Sequence, residues 1–282
     1  PRLVFCSIPG LGLNGRSAHR GVYDFMIQGL GGIMDLTGAP DGEPQKIGVA
    51  YADIFTGVYS VVAILAALRR RDETGEGAHV DMALLDVQVG TLANQALNYL
   101  VSGKAPRRMG NAHPNIVPYS VFPVEDGHVI VAVGNDGQYR RFVEILGAPD
   151  LADDPRFRTN ADRVANRAVL IPLLTALTLR HTRDGLLAAL EAKGVPAGPI
   201  NTVADVFADP QVIARGMRLD LEAPAAAGGT IPSVRSPIVI DGVPMAAPRP
   251  SPRLDGAAGA SCVFVHLRCG DFPSDSGFGI TI

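Results

Sequence analysis

Asp53 stands in the run VAYADIFTGVYSVVAILAALRRR, residues 49–71, just ahead of a segment with almost nothing polar in it. Two chemistries suit a lone acid so placed. Near a helix N-terminus an aspartate accepts from unsatisfied backbone N–H groups and meets the positive end of the helix dipole. The same surroundings, beside glycine-rich backbone, also hold a carboxylate ready to act as nucleophile or base. Spacing alone does not separate these readings. A second candidate is MGNAHPNIVPY, residues 109–119, where Gly110 permits close backbone approach, Asn111 and Asn115 offer amide donors, and His113 can titrate or donate. A turn held by Pro114 and Pro118 accounts for the same residues. Just before it, Arg107 and Arg108 either meet a substrate carboxylate or stand as an exposed pair.

Other chemistries find less support. The glycine-rich QGLGGIMDLTG is not a G-x-G-x-x-G fingerprint, because it follows no clear strand and has no downstream acid in the right context. There is no G-x-S-x-G elbow of the serine hydrolase type. His19, His79, His128, His181 and His266 have no second ligand at metal spacing, so no metal site is expected. Cys6, Cys262 and Cys269 are too few and too scattered for a disulfide framework, which points to a reducing compartment and the cytoplasm. A formal net charge of -3 leaves no electrostatic footprint for nucleic acid. No apolar stretch reaches the roughly 18 residues of a membrane helix, and residues 58–68 match a buried core helix in length instead. The N-terminus carries neither a signal nor a transit pattern.

The elements that must position these residues read as α/β. At 282 residues, with 47% apolar and 19% charged, the chain has room for about two domains. LVFCSI is strand-like and opens on a glycine-rich turn, as in the middle of a βα unit. Residues 57–71 are apolar on every side, which predicts a helix buried all round, stopped by DETGEG. AHVDMALLD alternates like a strand, and LLDVQVGTLANQALNYLVSG keeps helical spacing up to Gly103. A second module begins near Pro114 with two strands joined by EDG, then helices at QYRRFVEILG, RAVLIPLLTALTLR and TRDGLLAALEAKG, and a short helix pair at TVADVFADPQVIARG. Strand texture returns at IPSVRSPIVI, before a Pro/Ala/Gly-rich segment and a C-terminal stretch without period.

YDFMIQGLGGIMDLTG, ADIFTGVYSVVAILAALRRRDETGEGAHVDMALLD, MGNAHPNIVPY, LADDPRFRTNADRVANR, GVPAGPINTVADVFADPQVIARGM and VRSPI, in that order, resemble the class III coenzyme A transferases of CaiB/BaiF type. The resemblance runs from Pro1 to about Pro252. It implies a Rossmann-like large domain (residues 1–113, rejoined by 218–252), a small α/β domain (114–217) and two interlocked subunits; residues 253–282, without period, read as a divergent, poorly ordered tail. It implies no permanently bound cofactor and no metal; a coenzyme A thioester is a substrate, with a carboxylic acid as acceptor and no nucleic-acid or membrane partner. In that family the acid of the A-D-x-x-T-G motif is the nucleophile, which falls on Asp53: it attacks the donor thioester to give a mixed anhydride, then passes through an aspartyl-CoA thioester that the acceptor opens. Backbone N–H groups at the helix mouth would hold the developing oxyanions. Gly110, Asn111 and His113 would close over the acyl group, and Tyr23 and Gln28 would line the acyl or pantetheine pocket. MGNAHPNIVPY looks like members handling dicarboxylates such as succinate or glutarate.

Racemases of α-methylacyl-CoA thioesters share the fold but pair the Asp with the His of a G-H-D motif; here GVYDF places Tyr23 there, which favours transfer. A non-catalytic member of the fold is the other alternative. The resemblance also leads one to expect an N-terminal segment before Pro1 that contacts the CoA nucleotide. After Pro252 it leads one to expect a PPLLGQHT-like run and a final helix, where this chain reads RLDGAAGASCVFVHLRCGDFPSDSGFGITI.

Overall fold

The computed structural model describes residues 2–246 except Ala225, together with Pro250. The expected tail at 253–282, with Cys262, His266 and Cys269, lies outside the described residues. The chain divides into two compact units, one ending at Pro114 and the other beginning at Asn115.

In the first unit β1 (Val4–Ser7) runs parallel to β2 (Ala78–Asp81), with Val4 opposite Ala78 and Ser7 opposite Asp81. A parallel pair needs a long crossover. Here it contains α1 (Asp24–Leu30), the short α2 (Ile33–Leu36) and α3 (Tyr51–Thr74). The chain enters β2 so close to β1 that a Cβ on Gly77 would run into the carbonyl of Leu3, so a glycine is required there. After β2 the helical run comes as two pieces, α4 (Leu84–Gly90) and α5 (Ala93–Ser102), parted where Ala93 takes φ 49°. Gly103, left-handed at φ 70°, ends the second.

α3 packs against β1, β2, α1 and α4 through one narrow stripe. Its buried residues, Ala52, Thr56 and Ser60, are spaced by four and therefore share a face. Val58, Tyr59, Val62 and Leu65 are exposed, Leu65 at 60%. This corrects the expectation of a helix buried all round: apolar composition says which faces can be covered, not what lies over them. The helix is also longer than the apolar run suggests: contrary to the expectation that no stretch reaches membrane-helix length, it is long and apolar enough, by length and composition only, to cross a membrane. Under the start of α3 sits a small core of Val22, Ile27 and Ala52, with Leu11, Leu84 and Leu85 against it.

The second unit is built on β3 (Tyr119–Val124) and β4 (Gly127–Ala132), an antiparallel hairpin closed at Val124 and Gly127, with β5 (Ala197–Pro199) on the other side of β4. Period-two alternation turns Phe122, Val124, Val129 and Val131 inward. Against them pack α6 (Asp136–Ile145), a 3-10 turn at Pro149–Ala152, α7 (Asn160–Ala165), α8 (Arg167–Thr178) and α9 (Arg183–Ala192), which contribute Phe142, Leu170, Leu174, Leu186 and Leu190. Each such side chain gains about 1.5–3 kcal/mol on burial. Arg163 is fully buried at the edge of this core. Its Nε donates to Val117 O at 2.7 Å, Nη1 to Phe157 O at 3.0 Å and Nη2 to Asp136 Oδ1 at 2.8 Å, and its guanidinium lies 4.3 Å from the Tyr139 ring centre. Burial pushes the Tyr139 phenol up to about 12. The unit continues through α10 (Val203–Ala208), α11 (Pro210–Ala214), the hairpin of β6 (Arg218–Glu222) with β7 (Thr230–Val234), and the small β8 (Val239–Ile240) and β9 (Val243–Pro244) pair. Capping boxes start α7, from Thr159 and Asp162, and α10, from Thr202 and Asp205.

Candidate active site

The N-cap of α3 is Ala50, whose side chain cannot accept a hydrogen bond. The missing acceptor comes from another helix. Asp24, the first residue of α1, accepts through Oδ2 from the backbone N–H of Ala52 at 2.8 Å and of Asp53 at 3.2 Å. Those are the second and third helical positions, the ones an N-cap side chain normally serves. The other oxygen, Oδ1, accepts from Gln28 Nε2 at 2.7 Å, one turn along α1. Gln28 has no exposed surface. Its Nε2 also reaches Val49 O at 3.3 Å, and its Oε1 accepts from the backbone N–H of Ile47 at 2.9 Å. Residues 47–49, α1 and the mouth of α3 are thereby tied to one another.

Asp53 itself accepts no hydrogen bond through its carboxylate among the described residues, and it is exposed. It opens into a depression of about 400 Å³ whose lining includes Tyr23, Phe25, Lys46 and Gly48. Partial desolvation, and then the like charge of Asp24, push its carboxyl above the ordinary aspartate value. The structure thus separates the two roles that the sequence leaves merged: Asp24 caps the helix, and Asp53 is presented as a basic, unpaired carboxylate.

Of the residues expected around Asp53, Tyr23 does line the depression and is 68% exposed at the N-cap of α1. Gln28 does not line it; it lies buried beneath, so its contribution there is to hold the wall. Gly110, at φ 58°, donates its N–H to Gly38 O at 3.1 Å; Asn111 is exposed and His113 half-buried, and none of the three lines this depression. Arg108 donates to the carboxylate of Asp35 at 2.9 Å and to its carbonyl at 3.2 Å, which braces the loop against α2, while Arg107 remains exposed. The expected oxyanion donors at the mouth of α3 are already engaged: Tyr51 N–H by Val49 O, Ala52 and Asp53 N–H by Asp24, and Ile54 N–H by Ala50 O. Sequence reasoning passed over Asp24 and Lys46. For Asp24 the available signal was a helix beginning on Ala-Tyr-Ala, with no side chain of its own to cap it.

An acid displayed at the N-terminus of a crossover helix, in an α/β unit followed by an α/β module, defines the class. The sequence profile of CoA-transferase family III matches residues 1–258, and the chain belongs to that family. Succinate--glutarate CoA-transferase of Agrobacterium fabrum is 54% identical over 254 residues, which cover 90% of this chain and 63% of that protein. Succinyl-CoA:glutarate CoA-transferase of Homo sapiens is 38% identical over 232 residues, 82% of this chain and 53% of the relative. The crystal structure of a CaiB/BaiF family protein from Brucella suis superimposes with a TM-score of 0.77 at 57% identity, covering 92% of this chain and 67% of that one. The chain therefore spans less than two thirds of the length of either curated relative.

Proposed function

We propose that this protein is a coenzyme A transferase acting between dicarboxylic acids, with Asp53 as its nucleophile. The observation that carries the proposal is the unpaired Asp53 carboxylate, relieved of capping by Asp24 and turned into the depression beside Tyr23 and Lys46. An Asp53 oxygen attacks the donor thioester carbonyl; the C–S bond breaks, giving an acyl-aspartyl anhydride and the CoA thiolate. The thiolate attacks the aspartyl carbonyl, expelling the donor acid and leaving an aspartyl-CoA thioester. The acceptor carboxylate attacks that carbonyl and again releases thiolate, which takes the acceptor's acyl group from the new anhydride and restores Asp53. A carboxylate suits this relay because its anhydride stays reactive, whereas a serine ester would be a sink. The family resemblance assigns the Gly110–His113 loop to closing over the acyl group.

The dicarboxylate preference is supported by the named relatives, which act on succinate or succinyl-CoA with glutarate. Lys46, lining the depression, is the cation placed to meet a remote carboxylate. The same reading makes the protein a cytoplasmic homodimer of interlocked subunits with no membrane partner. The exposed apolar face of α3 supports it, since a second copy would cover that face.

The test is incubation with succinyl-CoA, hydroxylamine trapping and peptide mass spectrometry. A hydroxamate or a CoA-mass adduct on Asp53 is expected, and Asp53→Ala should abolish both while leaving the circular dichroism spectrum unchanged; substantial residual turnover would sink the assignment. The racemase reading is disfavoured by Tyr23 standing at the N-cap of α1 where a histidine would be needed. Tyr23→His should introduce slow α-proton exchange in a branched acyl-CoA, followed by NMR in deuterated water, and no exchange would remove the comparison.

A further inference from the structure

We infer that Asp24 and Gln28 are positioning residues for Asp53: Asp24 caps α3 from outside so that Asp53 is left as the unpaired carboxylate of that helix end, and Gln28 locks both Asp24 and the wall at 47–49. The inference rests on the reading of Asp53 as nucleophile.

Two other helices of the same chain show what an acid in Asp53's position otherwise does. Asp162 and Asp205 occupy the third position of α7 and α10, as Asp53 does in α3. Both fold back: Asp162 accepts from the Thr159 backbone N–H at 3.1 Å and its hydroxyl at 2.6 Å, and Asp205 from Thr202 at 2.9 and 2.6 Å. Hydrogen bonding lowers the carboxyl pKa of each, whereas that of Asp53 is raised. In α3 the N-cap is an alanine, and Asp24 supplies the acceptor from a separate helix. An acid at this position that makes no local hydrogen bond is available for chemistry.

Gln28 extends the device by one layer. A buried amide is costly unless it is satisfied. This one bonds Asp24 on one side and the backbone of Ile47 and Val49 on the other. The hydrogen-bonding demand of one buried side chain thus fixes the rotamer of Asp24 and the path of the loop facing Asp53.

The experiment is single-turnover labelling of Asp53 by succinyl-CoA in the wild type, Asp24→Ala, Asp24→Asn and Gln28→Met, combined with amide hydrogen exchange at Ala52 and Asp53. Asp24→Ala should slow labelling by about 100-fold, the scale of a misplaced reacting group, with half-saturating succinyl-CoA unchanged. Asp24→Asn keeps one acceptor oxygen for the helix and should recover at least about tenfold of that loss. Gln28→Met should fall between, and it maintains the comparison if the alanine variant does not fold. Wild-type labelling rates in Asp24→Ala or Gln28→Met, or amides at 52 and 53 still protected once the side chain is removed, would overturn the clamp. Absence of label in the wild type with every acyl-CoA tried overturns the nucleophile assignment instead; the clamp is then decided by the exchange data alone.

Discussion

A carboxyl raised by burial and by a neighbouring carboxylate loses its charge earlier as pH falls, so the ionised form of Asp53, the form the proposed mechanism uses, disappears at a higher pH than for an ordinary aspartate, whose pKa is about 3.9. The acid limb of kcat/KM should therefore lie above that value. In Asp24→Asn it should move down, because the like charge goes while the desolvation stays; a pH–rate profile for both proteins checks this, and an unmoved limb would mean Asp24 does not act on Asp53 electrostatically. The same shift has a stability side. The fold disfavours the ionised acid, so stability declines as pH rises from the ordinary aspartate value through the raised one. At this scale the sequence was only partly legible. A-D-x-x-T-G singles out Asp53, and Tyr23 lies in the same depression, whereas Gln28 is buried beneath it, which spacing along α1 does not reveal. Asp24 was missed because its partners lie 28 and 29 residues away.

Among the elements, those whose period and punctuation agree were readable: the EDG hairpin, α6, α8 and α9. What was not readable is how Arg163 closes the second unit. In NADRVANR it looks like an exposed helical charge, yet it serves three main-chain carbonyls, those of Val117, Phe157 and Arg158, and Asp136 from a fully buried position. Arg163→Met retains bulk but leaves Val117 O and Phe157 O without their donor. It should destabilise the second unit by about 2–4 kcal/mol, one to three kcal/mol being typical for each buried group left unsatisfied. Urea unfolding followed by far-ultraviolet circular dichroism measures this, and a change under about 0.5 kcal/mol, the usual surface value, would show that solvent replaces those bonds. α3 failed as a reading for a different reason: its apolarity was seen correctly, and its cover was not encoded within it.

For the whole molecule, the two units differ in what they bury. The second has a continuous core from Val117 to Val195 among the described residues, whereas the first gathers Val22, Ile27 and Ala52 and leaves most of α3 uncovered. If a second copy supplies that cover, heat should remove activity and melt the protein at different rates. Anything that binds only the folded state stabilises it by mass action, so the temperature of inactivation should climb as protein is concentrated, while the transition of the second unit stays put. Scanning calorimetry and residual-activity curves over a hundredfold range of concentration would reveal this divergence. Curves that superimpose would mean that α3 is protected from within a single chain. Curves that diverge would make the exposed flank of α3 govern how the protein is stored: a dilute stock would lose its first unit before its second and still look folded by most optical probes.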